Sequence, residues 1–305
     1  MHNRFDPDDT DAYLAWRANK LRFYPRSVAE LRVEVARLDA PTELEVRQIR
    51  HRIAKTNMAL IRCGDPSQVT KSALLRFGLS LGLKRLDNNL CADERAVSTL
   101  TVRTNGRASG YVPYTNRPLS WHTDGYYNSP DRQVRAWMLF CVRDALTGGE
   151  NALLDHEVAY IRLRDQDAGL VRALMDPESM TIPPNLENGR EVRPAHTGPV
   201  FSVHEGRLHM RYSARSRNVQ WKQTSQIRDA RDALARLFSR GDVHMFRHKL
   251  APGEGYISNN VLHNRAGFEE NAEAGHPGRM LLRTRYLESV GGHPGTTMRV
   301  DREQP

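Results

Sequence analysis

Cysteine, lysine and long apolar runs are all scarce in this chain of 305 residues. Its three cysteines, Cys63, Cys91 and Cys141, are odd in number and widely spaced, which excludes a disulfide framework and a zinc knuckle and fits reduced thiols filling a core. The longest unbroken apolar run, Ala136–Val142, falls far short of the ~20 residues that span a bilayer. Met1–Asp11 is acidic and carries no apolar segment, so no secretory signal is expected and the cytoplasm is the expected compartment. No repeat period, low-complexity tract or glycine-rich loop between a strand and a helix is visible, which removes solenoid, Rossmann and P-loop readings. The formal charge is +9, but only 6 of the 45 basic residues are lysine, and no block of five or six like charges occurs. Dispersed arginine of this kind reads as solvated surface, so nucleic acid is not the expected partner, although guanidinium forks remain suited to an anionic small molecule.

What is present suits a globular protein. Charged residues make up 27% and apolar residues 39%, too mixed for wholesale disorder, and a chain of this length buries roughly three-quarters of its unfolded surface. The first third reads as helical: Asp9–Arg22, Thr42–Ala54 after Pro41 with an acidic first turn, and Gln68–Leu83, interrupted by a strand at Asn57–Cys63. From about residue 97 short strands dominate: Thr99–Arg103, Arg135–Arg143, a hairpin over Pro199–Ser213, Val243–Leu250, Gly255–Ser258 and Arg279–Leu287. Helical periods interrupt them at Glu157–Met175 and Gln226–Phe238. The expectation is a mainly β protein with helices (α+β), a β-sandwich or jelly roll, with a helical region over residues 1–96, a core over 97–290 and a tail over 291–305.

The informative stretch is Leu119–Ser129, LSWHTDGYYNS. His122 and Asp124 are one residue apart, and on an extended segment positions i and i+2 share a face. A third ligand has to come from elsewhere, and His263 in GYISNNVLHNRAGF is the natural candidate. Two imidazoles and one carboxylate with open positions form the facial triad of non-haem Fe(II) oxygenases, although zinc tolerates the same ligands and an isolated His-x-Asp also occurs as a hydrogen-bonded surface pair.

Five segments, in order over roughly residues 110–288, narrow these alternatives: PLSWHTDG at 118–125, TGGENALLD at 147–155, GPVFSVHEGRLHMRYS at 198–213, LAPGEGYISNNVLHNRAGF at 250–268 and RMLLR at 279–283. Together they resemble the taurine dioxygenase-like (clavaminate-synthase-like) family of Fe(II)/2-oxoglutarate-dependent oxygenases. The resemblance implies a double-stranded β-helix core with an N-terminal helical region and inserted helices. It implies iron held by His122, Asp124 and His263, with dioxygen and 2-oxoglutarate as cosubstrates. By the same resemblance Arg279 pairs with the distal carboxylate of 2-oxoglutarate, and Arg283, four residues on, lies beside it or clamps an anionic substrate, the two being exchangeable across the irregular Asn271–Gly278 loop. Two departures stand out. Asn151 occupies the place of a usual Thr or Ser hydroxyl donor, and an amide can donate the same bond. Ser258-Asn259-Asn260 replaces the common Asp-Asn-Arg, which predicts altered support of the site without its loss. Asp124 itself is retained, which favours hydroxylation over halogenation.

The implied reaction oxidises a C–H bond of a small polar, anionic or zwitterionic molecule and releases succinate and CO2. Tyr126, Tyr127 and Asn128 follow the metal segment, where the family has substrate contacts, and Arg285 and Arg211 favour a carboxylate or sulfonate. Residues 105–119 and 183–196, rich in Gly, Pro and Asn, are expected as lids. Other histidines read as structural: His204 and His209 beside a hairpin turn, His244 and His248 without a zincin glutamate, and His156 after a helix-capping Asp155. The alternatives are an idle β-helix used for binding, a nucleobase-directed 2-oxoglutarate oxygenase, and a zinc hydrolase indifferent to 2-oxoglutarate. No membrane partner is expected, and a homo-oligomer is compatible with the chain.

Overall fold

The computed structural model describes residues 3–88, 96–270 and 277–291, without the side chains of residues 107 and 108; Cys91, most of the Asn271–Gly278 loop and the tail from residue 292 lie outside these. The fold is mixed α and β. Six strands pair into one sheet in the order Arg32–Val35, Met58–Cys63, Glu254–Ser258, Ala136–Arg143, Met280–Tyr286, Ser98–Leu100, antiparallel except for the first pair. A four-stranded antiparallel sheet runs Met245–His248, Asn151–Leu154, Leu262–Arg265, Leu119–His122. In the first third the expected strand at Asn57–Cys63 forms as Met58–Cys63, and Arg32–Val35, not expected as a strand, pairs beside it.

The period-2 geometry of a strand explains how one apolar run serves two cores. In Ala136–Arg143, Trp137, Leu139 and Cys141 pack toward the smaller sheet with Leu153, Leu154 and Leu262. Ala136, Met138 and Phe140 point the other way, into a cluster with Ile49, Ile53 and Phe77 from the helices Glu43–Thr56 and Lys71–Ser80. Both faces are covered, so the strand reads as continuous rather than alternating. Each large apolar side chain so buried contributes about 1.5–3 kcal/mol. Gly255 is required here, because a Cβ on it would overlap the ring of Phe140 on the neighbouring strand.

Helix limits follow local chemistry. Thr42 and Glu45 form a reciprocal capping box, and Asn57 ends that helix in the left-handed region at φ 56°. The helix expected over Gln68–Leu83 begins only at Lys71, because Thr70 caps it after a 3₁₀ turn at Pro66–Gln68. The single helix expected over Glu157–Met175 is two, His156–Gln166 and Ala168–Leu174. Asp167 is extended at φ −166° and accepts the Gly169 N–H at 2.7 Å, so its carboxylate breaks the first helix by capping the second. Cys63 and Cys141 are buried free thiols, with burial pushing the Cys63 thiol up to about 11. No helix among the described residues is long and apolar enough to cross a membrane.

Candidate metal and cosubstrate site

The strand Leu119–His122 ends at His122, and Asp124 follows in a turn rather than on the strand, a departure from the shared-face expectation. The convergence survives because the turn is held from outside. Asn260, itself left-handed at φ 56°, accepts the Asp124 N–H at 2.8 Å and donates to Asp124 O at 2.9 Å and Val134 O at 2.6 Å. His263 lies directly across from His122 in the neighbouring strand, with ring centroids 4.2 Å apart, and Trp137 of the larger sheet lies 4.7 Å from the His263 ring. Donor atoms of His122, Asp124 and His263 all fall within 4.8 Å of one another, the one such cluster of three among the described residues, and all three side chains are buried.

The arrangement fits a divalent metal. Each imidazole sets Nδ1 against a backbone carbonyl, His122 on Ser120 O at 2.9 Å and His263 on Val261 O at 3.0 Å, which leaves Nε2 as the free ligand atom. Oδ2 of Asp124 is buried without a hydrogen-bond partner, an acceptor that a cation satisfies. Burial alone would raise the Asp124 carboxyl, but Arg283 and the His122 hydrogen bond hold it well below its ordinary range. Burial, and then His122, pushes His263 down to about 3, so its ring is neutral and ready to ligate.

Arg279 immediately precedes the strand Met280–Tyr286, Arg283 and Arg285 share one face further along it, and their surroundings separate the three. Arg283 Nη1 is 3.5 Å from each Asp124 oxygen, and its Nε is buried without a partner. Arg279 has no ion pair among the described residues. Its guanidinium lies 4.7 Å from the centroid of Phe268 and beside Gly149, and burial pushes it down to about 10. A small cleft of about 10 Å³ there is lined by Gly149, Asn151, Leu250 and Arg279. Asn151 donates one amide N–H to Asn264 O at 3.0 Å, and its Oδ1 is buried without a partner. Only its second N–H is therefore left for a carboxylate.

The remaining candidates are engaged with the protein itself. Arg285 is buried between Asp87, to which it is ion-paired, and the Tyr127 hydroxyl, which accepts from it at 2.9 Å. Asn128 donates to Asp87 at 3.1 Å and to Arg132 O at 2.8 Å. Arg211 spends four donors on the carbonyls of Pro199, His196, Met180 and Gly198, far from the expected substrate role: it ties the 180–199 segment together. Tyr126 and Tyr127 meet edge to face at 5.2 Å. The hairpin Asn185–Glu187/Arg190–Arg193 stands over them, with Arg193 5.8 Å from the Tyr127 ring and Glu187 accepting from Tyr111 at 3.2 Å. Both segments expected as lids therefore touch at this point. Asp87 and Arg193 were not expected at the site, and the altered support expected of Ser258-Asn259-Asn260 takes the specific form of Asn260 holding the Asp124 turn. A second asparagine before Val261 was the visible trace of Asn260, and nothing in KRLDNN marked Asp87.

A family model described as taurine catabolism dioxygenase TauD, TfdA family, matches residues 23–285. A uridine-5'-phosphate dioxygenase from Amycolatopsis sp is 28% identical over 277 residues, 87% of this chain and 94% of that protein. Among solved structures, asparagine oxygenase in complex with Fe(II), 3-hydroxyasparagine and succinate superposes with a TM-score of 0.59 at 19% identity, over 92% of this chain and 85% of that one. The non-heme iron oxygenase OrfP, in complex with Fe and α-ketoglutaric acid, superposes with a TM-score of 0.59 at 17% identity, over 94% and 86%. At these identities the two structures speak to the shared fold.

Proposed function

We propose that this chain, which belongs to the TauD/TfdA dioxygenase family and is an Fe(II)- and 2-oxoglutarate-dependent dioxygenase, oxidises a C–H bond of a small anionic substrate, best matched by a nucleoside 5'-phosphate. The two sheets are then the two walls of a double-stranded β-helix, with the metal between them. His122, Asp124 and His263 would hold Fe(II), and the chemistry that the ion would supply with 2-oxoglutarate and dioxygen is oxidation of the C–H bond with release of succinate and CO2.

Around that centre the chain's own residues bind and orient. The Nδ1 contacts fix both imidazole rings, and Asn260 fixes the backbone on either side of Asp124. Arg279 takes the distal carboxylate of 2-oxoglutarate in a bidentate fork, with the free N–H of Asn151 beside it. Trp137 and the surrounding apolar side chains keep water from the buried face.

The observation that carries the substrate class is Arg283. It faces Asp124 from a buried position, and a metal on that carboxylate would claim the charge that Arg283 now shares. The guanidinium is then left to an anion at the reacting centre. An amino-acid substrate also needs an acceptor for its ammonium, and the nearby carboxylate, Asp87, is already taken by Arg285. A nucleoside phosphate needs no such acceptor, and Tyr126 and Tyr127 offer its base an aromatic wall. The Amycolatopsis relative, a uridine-5'-phosphate dioxygenase, supports this reading. On this reading the enzyme works in the cytoplasm on a free metabolite rather than on nucleic acid.

The test is oxygen-dependent succinate release from 2-oxoglutarate by the iron-loaded enzyme with uridine 5'-phosphate, asparagine or arginine added. Stimulation by the nucleotide and not by the amino acids is expected. Stimulation by an amino acid alone would overturn the substrate class.

A further inference from the structure

Away from the triad, at the Tyr286 end of the strand whose other end carries Arg279, lies a polar cavity of about 330 Å³. That volume is at the lower end of small-molecule sites, which begin at roughly 300 Å³. Arg135, Arg207, His209 and Asn259 form part of its wall.

The acids around it are largely committed. Glu157 is ion-paired with the buried Lys20 at 2.5 Å, and Glu288 with Arg85 at 2.9 Å. Glu205 lies 3.8 Å from His204 and is exposed, as is Asp131. The donors are less committed. Arg135 is half-buried, has no ion pair among the described residues, and makes a single long bond of 3.4 Å to Gln133. Among the described residues, the Arg207 guanidinium hydrogen-bonds only to the carbonyl of Gly291. His209 is 8% exposed, and its ring makes no hydrogen bond among the described residues. The neighbours acting on His209 are all cationic or potentially so: Arg135, His156, His204 and Arg211. Four acids and three arginines line the cavity, with Glu205 acting on Arg135, so what suits the wall to an acceptor is the uncommitted donors of Arg135, Arg207 and His209 and not a net positive charge.

We propose that this cavity is a second binding site, separate from the metal and cosubstrate site, for the oxyanion group of a small molecule, a carboxylate or phosphoryl held by the Arg135 fork and the His209 ring. Geometry supports the pairing, because Arg135 precedes the strand Ala136–Arg143 and His209 lies on Arg207–Met210, so two separate elements present donors to one enclosed space.

Calorimetric titration of the full, metal-free chain with inorganic phosphate and, separately, with succinate tests this. Wild type is expected to bind at least one of them saturably, the preferred probe identifying phosphoryl or carboxylate as the natural group. Arg135→Ala and His209→Ala are expected to weaken that binding tenfold or more. Arg135→Lys, which keeps the charge on a less disruptive side chain, is expected to keep it within about threefold, and Arg279→Ala to leave it unchanged. Circular dichroism melts identify any variant that fails to fold, in which case Arg135→Lys and His209→Gln carry the comparison, with His209→Gln expected to lose most of the binding. Binding that is unaffected by Arg135 and His209, that disappears with Arg279, or that is absent for both probes would overturn the proposal.

Discussion

Replacing Asn260 by glycine removes the side chain that holds the Asp124 turn without disturbing the local backbone, since glycine accepts φ 56° freely. Three buried backbone groups lose their partner: the Asp124 N–H, the Asp124 carbonyl and the Val134 carbonyl. At about 1–3 kcal/mol for each unsatisfied group, and with a water able to enter the vacated space and recover part of it, the net loss is about 3–5 kcal/mol. For a chain of this size that is a fall in Tm of roughly 5–8 °C. Asn260→Ala adds about 1–2 kcal/mol because alanine resists the left-handed region. Asn260→Asp restores the acceptor for the Asp124 N–H but sets a carboxylate oxygen against two carbonyls, and should be worse than glycine. With the carboxylate no longer anchored, Fe(II) affinity should drop about 10–100-fold, the usual effect of losing a partner that orients a ligand. Anaerobic competition between the protein and a chromophoric chelator for Fe(II), run beside thermal melts, measures both. A folded Asn260→Gly variant that binds iron within twofold of wild type would refute the reasoning.

Other consequences follow from the same geometry. Arg283→Ala should raise the KM for substrate at least tenfold while leaving 2-oxoglutarate affinity within about threefold, and a matched loss of cosubstrate affinity in binding assays would reverse the assignment of the two arginines. Asp87→Asn leaves Arg285 buried without its counter-ion and should cost about 3–5 kcal/mol in urea unfolding, with slackened positioning of Tyr127 visible as a higher KM; a change below about 1 kcal/mol would contradict the buried-pair account. Burial and neighbouring cations depress both His263 and His209, so both are neutral when folded and gain a proton on unfolding below about pH 6.5. Their contribution is complete above that pH and is lost as pH falls toward the folded values, by at most about 1.4 kcal/mol per unit for each. Asp124 is held low and keeps its own contribution until pH drops through the carboxylate range, so it does not mask the effect. The Tm of metal-free protein should fall steadily from pH 6.5 to 4.5, less steeply in His209→Gln, and a flat trace would contradict the burial of these rings.

How much of this was legible beforehand depended on whether the signal was local. The convergence of His122, Asp124 and His263 was legible because ligand chemistry restricts the residue types and the flanking segments keep a recognisable order. Strands such as Ala136–Arg143 were legible from their apolar runs, and the helix start at Thr42 from Pro41 and the acidic first turn. Long-range partnerships were not. Asp87 meets Arg285 across 198 positions, and Asn260 meets Asp124 across 136, so neither pair leaves a spacing to read. Arg211 misled for a related reason: its sequence neighbourhood cannot reveal that four carbonyls surround it. The break at Asp167 was overlooked because its capping side chain outweighs an otherwise continuous helical period.

The most direct test of the central claim is an anaerobic titration of the Fe(II)-loaded protein with 2-oxoglutarate, followed in the visible spectrum. A metal-to-ligand charge-transfer band should appear and saturate at one equivalent. It should be absent in His122→Ala and His263→Ala, shifted to much higher 2-oxoglutarate concentrations in Arg279→Ala, and retained in Arg283→Ala. Stoichiometric iron with no band in the wild-type protein, or a band indifferent to His263 and Arg279, would contradict the assignment of the metal and cosubstrate site.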